Sequence, residues 1–78
     1  MAMSAEIPLH GSDTEVIEIA FNELPDDPEE IITILKAEYA QMHLWVTFAV
    51  EYYRRDKKEN FTRVWYFIHR IITKLFNT

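Results

Sequence analysis

Residues 45–53 read Trp45-Val46-Thr47-Phe48-Ala49-Val50-Glu51-Tyr52-Tyr53, and the spacing of their rings decides how the rest of the chain is read. Trp45, Phe48, Ala49, Tyr52 and Tyr53 stand at i, i+3, i+4, i+7 and i+8, which is one continuous face of an α-helix. The spacing predicts a helix over about 43–55, with Arg54 and Arg55 at its C-terminal end, where the helix dipole favours cations. On this stretch alone, so much ring surface has three uses: a private core, a face kept for a partner, or a stacking platform for a ligand.

Working outward, Asp56-Lys57-Lys58 is a short polar connection, so the next helix should return antiparallel. That helix, about 59–76, carries Phe61, Val64, Trp65, Ile68, Ile72, Leu75 and Phe76 at helical spacing. Tyr66, Phe67 and Ile71 widen its apolar arc beyond what one neighbour covers. Towards the N-terminus, Leu24-Pro25-Asp26-Asp27-Pro28-Glu29-Glu30 marks a helix start. Asp27 is the expected cap, Pro28 suits the first helical position, and Glu30 stands three after the cap as in a capping box. Ile31, Ile34 and Leu35 then form an i, i+3, i+4 stripe, predicting a helix over about 28–38.

Before that helix, residues 5–24 read as irregular or extended. Gly11-Ser12-Asp13 is a turn signal, and TEVIEIAF places Ile17, Ile19 and Phe21 on one side of a short strand. No second strand signal follows it. The segment is therefore expected either to lie on the helices as coil or to pair with a partner protein. The chain divides into an extended arm, 1–25, and a helical region, 26–78. The expected fold class is all-α.

Composition agrees with one small domain. The chain has 78 residues, 49% hydrophobic and 27% charged, with a single glycine and no cysteine. Glycine scarcity disfavours barrels and phosphate-cradling loops. Without cysteine there is neither a disulfide framework nor a zinc–thiolate site, a usage that suits an intracellular protein. MAMSAEIPLHG has no basic start and no long apolar run, so no secretory signal is expected. No apolar stretch approaches the roughly 18 residues of a membrane span. The formal net charge of −5 hides an asymmetry. Nine acidic residues and no Lys or Arg precede Lys36, whereas eight basic residues meet four acidic ones from there on.

Catalytic constellations are absent. His10, His43 and His69 share no ligand spacing, Ser4 and Ser12 lack a triad context, and the Asp26-Asp27 and Glu29-Glu30 pairs are explained by the helix start. The expectation is a non-enzyme with no cofactor and no metal. RRDKK beside Tyr52 and Tyr53 is a short basic–aromatic cluster of the kind that grips phosphate, but the acidic arm competes with it, and no direct nucleic-acid contact is expected. The tail helix, with Arg63, Arg70 and Lys74 among aromatics, supplies the alternative reading of a peripheral membrane-binding amphipathic protein. That strip of cations is narrow, as on any half-buried helix.

The pattern W-x-x-F-A-x-x-Y-Y resembles the first helix of a tetratricopeptide repeat. In that repeat a small residue, here Ala49, lets two antiparallel helices approach closely, and rings fill the space between hairpins. One repeat is about 34 residues, so the chain has room for one after a half-hairpin. Asp56 stands where the family often has glycine, and Phe61 where it usually has a small alanine. A longer resemblance runs through EIPL, DTEVIEI, the LP at Leu24, ILKAE and LWVTFAVEYY into KKENF. In this order the blocks are similar to the N-terminus of the tetratricopeptide-repeat scaffold subunits of the polymerase-associated-factor (PAF) complex, from about Glu6 to Arg63. Beyond Arg63, VWYFIHRIITKLFNT departs from that family, and the resemblance implies a chain truncated within its first full repeat.

The resemblance implies a nuclear scaffold that binds a neighbouring PAF-complex subunit and, through the complex, RNA polymerase II. Transcription elongation and linked histone modification are the implied processes. Trp45, Phe48, Ala49, Tyr52 and Tyr53 are the expected packing signature, hairpin core first and partner surface second. Ile7, Leu9, Val16, Ile17, Ile19 and Phe21 are the expected partner-binding arm. A lone hairpin with an open apolar face is also expected to self-associate or to remain partly molten.

Overall fold

A computed structural model describes residues 3–76; the outermost ends of the two expected segments, residues 1–2 and 77–78, lie outside it. Two strands precede three helices: β1 (Ser4–Pro8), β2 (Val16–Ala20), a 3-10 turn (Phe21–Glu23), α1 (Pro28–Ala37), α2 (Met42–Arg54) and α3 (Lys58–Phe76). The all-α expectation is therefore corrected: the fold is mixed, with a two-stranded antiparallel sheet packed beside three helices.

The extended arm is a β-hairpin. Its register pairs Ala5 with Ile19, Glu6 with Glu18, and Ile7 with Ile17. The strand read from TEVIEIAF does have a ladder partner in its own chain, and that partner precedes the turn signal instead of following it. Alternation then sorts the side chains. Ile7 is buried, Ala5, Ile17 and Ile19 pack against the core, and Glu6, Pro8, Val16 and Glu18 face solvent. Gly11 sits in the connecting loop at φ +84°, a conformation that costs glycine little. Ser12 Oγ accepts from the Thr14 and Glu15 amides and closes the loop.

The helices begin and end for local reasons. Asp27 caps α1 by accepting the Glu29 amide at 3.0 Å, with Pro28 in the first turn. α1 and α2 both stop in a Schellman motif. The Ala40 amide bonds the Leu35 carbonyl and the Lys57 amide bonds the Tyr52 carbonyl, with Tyr39 and Asp56 in the left-handed region at φ 52° and 62°. Asp56 occupies the turn position where tetratricopeptide repeats often place glycine, and its φ shows why glycine suits it.

α2 and α3 make the most extensive pairing of helices. Tyr53 meets Phe61 beside the turn and Trp45 meets Phe67 farther along, so the two run antiparallel. One core joins all elements: Ile7 and Phe21 from the hairpin side, Ile31, Ile32 and Leu35 from α1, Leu44, Trp45, Phe48, Ala49 and Tyr52 from α2, and Val64 and Ile68 from α3.

Candidate protein-interaction site

The ring stripe of α2 divides between the core and the surface. Trp45, Phe48, Ala49 and Tyr52 are buried, with Phe48 and Ala49 wholly excluded from solvent. Ala49 thus belongs to the core. Phe48 meets Phe21 edge-on at 6.2 Å, which brings the segment after β2 onto α2. Tyr53 alone of the stripe turns outward and is 55% exposed.

The six arm residues are distributed otherwise than a partner-binding arm requires. Ile7 and Phe21 are in the core of their own chain, Ile17 and Ile19 pack against it, Leu9 is half-buried, and Val16 is exposed. The apolar edge expected for a partner closes on α2 and its neighbours.

What remains open is a flank of the α2–α3 hairpin. The Tyr53 and Phe61 rings pack at 5.2 Å, and Phe61 stacks on Trp65 at 5.8 Å, so three rings form a continuous surface. Trp65 is 47% exposed. Exposed Val46 and Val50 extend the patch along α2, at i and i+4 with Tyr53 at i+7, and Ile72 extends it along α3. Val46 and Val50 escaped the sequence reading because attention to the buried ring stripe hides a second stripe beside it; their spacing with Tyr53 was the available signal. Contiguous exposed apolar surface of this kind marks interaction sites.

The basic cluster near Tyr53 is largely balanced. Glu51 is buried between Arg54 and Arg55, Lys57 faces Asp26, and Lys58 faces Asp56. Tyr52, the other ring of that cluster, is in the core. α3 commits Val64 and Ile68 to the core, which divides the apolar arc expected of a helix lying in a membrane interface. No helix among the described residues is long and apolar enough to cross a membrane.

Tyr52 also fastens the α1 entry to the hairpin. Its hydroxyl donates to the Pro25 carbonyl at 2.8 Å. Burial, then the carboxylates of Glu30, Asp27 and Asp26, push its pKa up to about 12. Nearby, Asn60 Nδ2 donates to the Asp26 carbonyl and Arg63 Nε donates to Glu29 Oε1 at 2.6 Å. The α2–α3 hairpin thus shares one core with the sheet and leaves an aromatic flank open.

No family model matches the chain. Individual relatives do. The chain is 48% identical over 59 residues to the RNA polymerase-associated protein CTR9 of Caenorhabditis elegans, covering 74% of this chain and 5% of that protein. It is 39% identical over 61 residues to the CTR9 homolog of Arabidopsis thaliana, covering 78% of this chain and 6% of that protein. Tetratricopeptide repeat protein 1 of Schizosaccharomyces pombe is 41% identical over 54 residues, covering 69% of this chain and 5% of that protein. The chain is thus a homologue of the CTR9 proteins and of a tetratricopeptide-repeat protein, in agreement with the resemblance read from the sequence blocks. It spans about one twentieth of the length of these relatives.

Proposed function

We propose that the chain is a protein-interaction module of the PAF complex, acting in the nucleus in transcription by RNA polymerase II. The observation that carries this reading is the kinship with the CTR9 proteins over about three quarters of the chain, at 39–48% identity. The exposed aromatic flank supports it, since rings left open beside a rigid hairpin suit a protein partner better than a reaction. The module binds a neighbouring PAF subunit through Tyr53, Phe61 and Trp65, with Val50 and Ile72 at the margin. It contributes to elongation and to linked histone modification only through the complex. Its action is binding, without catalysis and without a cofactor.

Capture from nuclear extract on the immobilised full chain tests this. PAF subunits and RNA polymerase II should be enriched over a bead control, and Trp65→Glu should remove most of that enrichment while leaving the far-UV circular dichroism unchanged. Enrichment of neither by the folded wild-type chain would overturn the assignment. Enrichment insensitive to Trp65→Glu would move the interface off this flank.

A further inference from the structure

On the side of α3 away from the aromatic flank, a cleft of about 470 Å³ runs between α1 and α3. Lys36 of α1 and Arg63, Arg70 and Lys74 of α3 line it around Tyr66 and Phe67, and no acidic residue lines it. At 100° per residue, positions 63, 70 and 74 fall within about 40° of one another and span about 16 Å of helix. Only Arg63 of these four has a carboxylate partner, Glu29; Lys36, Arg70 and Lys74 form no ion pair with the described residues. In a chain of net charge −5, a row of cations this poorly compensated is a local reversal of sign.

We infer that this cleft binds an acidic peptide segment of a partner protein, holding its carboxylates on Lys36, Arg63, Arg70 and Lys74 and one apolar side chain over the Phe67–Ile71 floor. The Glu29 carboxylate on Arg63 already shows the contact such a segment would repeat. The rings favour a carboxylate ligand over a nucleic acid. Lys36 and Arg63 lie over Phe67 at 4.8 and 5.1 Å, and Arg63 and Arg70 lie over Tyr66, each at 5.8 Å. Cations of the protein itself thus cover these ring faces, where a base would have to stack. A bilayer is disfavoured by placement, because the exposed apolar side chains Trp65 and Ile72 stand on the opposite flank of the same helix. A flat surface would reach the cations or the apolar anchors, not both. The inference is argued from the cleft's own geometry and charge and does not rest on kinship with CTR9 proteins.

The test uses the full purified chain and a fluorescein-labelled oligo-glutamate peptide with one central leucine, read by anisotropy. Saturable binding is expected. It should weaken about tenfold or more in Arg70→Glu/Lys74→Glu, weaken with added salt, and persist in Val50→Lys on the other flank. The same peptide with glutamine for glutamate should not bind. Circular dichroism of each variant separates loss of fold from loss of site. The inference is overturned if the glutamate peptide fails to bind the folded wild-type chain, or if charge reversal leaves its affinity unchanged. Tighter cleft-dependent binding of oligo-uridine RNA or of phosphatidylserine vesicles would also overturn it, as would a dimer dissolved by the same charge reversal, which would make a second copy the occupant.

Discussion

The Tyr52 ring fills the core while its hydroxyl donates to the Pro25 carbonyl, and the neighbouring acids oppose a second negative charge there. Folding raises its pKa from an ordinary value near 10 to about 12. Its contribution to stability is therefore fully present below pH 10. It is lost as the pH rises from 10 towards 12, because the unfolded chain releases the proton first. Wild-type protein should lose on the order of 2 kcal/mol across that window, and Tyr52→Phe should lose less. At neutral pH, Tyr52→Phe should be less stable than wild type by about 1 kcal/mol, the usual net worth of such a hydrogen bond. Urea melts of both proteins at pH 7, 9.5 and 11.5 read all three outcomes. Asp56 makes the opposite case, a residue held at φ 62° without the freedom of glycine. Asp56→Gly should raise stability by about 0.5–1 kcal/mol, since only an exposed contact with Lys58 is lost in exchange. Thermal melts of the variant would show it as a higher midpoint.

At the level of elements, α2 carries a wholly buried alanine, Ala49. Ala49→Leu should cost about 1–3 kcal/mol, the usual range for added methylenes in a packed core. A denaturant midpoint equal to wild type would show that α2 does not need the small residue there. The helices are legible in the sequence because each carries a 3.6-residue apolar period with an end signal, such as Asp27-Pro28 for α1. The sheet is not, for equally local reasons. β1 is SAEIP, five residues containing an alanine, a glutamate and a proline, none of which favours strands. The connection to β2 is longer than the two-residue turns that announce a hairpin. Glu6 directly opposes Glu18, a like-charge pair that sequence rules count against pairing. Burial of Ile7 outweighs these terms, and burial is decided by helices that come later in the chain. The ring stripe of the site is legible for the same periodic reason as α2 itself. The cleft is not, because Lys36 and Arg70 meet only once α1 and α3 are packed together.

For the molecule as a whole, the sheet changes what the chain can do alone. With β1 packed on α2, one core joins the hairpin and the helices, and the stacked rings Tyr53, Phe61 and Trp65 form an open cluster on one flank, apart from exposed Tyr39 and Phe76. Self-association should then proceed through that flank. Sedimentation velocity should show concentration-dependent dimers or larger species for wild type. A Tyr53→Lys/Trp65→Glu variant should sediment as a monomer with an unchanged circular dichroism spectrum. Association that survives both substitutions would locate the contact elsewhere.

Ile7 is wholly excluded from solvent although it lies only four positions after the first described residue, Met3, which is exposed. Shortening the chain from its front by eight residues, as one would trim a dispensable tail for crystallisation, would delete an interior side chain and open a void beneath α2. An affinity tag joined ahead of Met3 avoids that damage. An excision that reaches Ile7 thus removes one of the wholly buried side chains of the core.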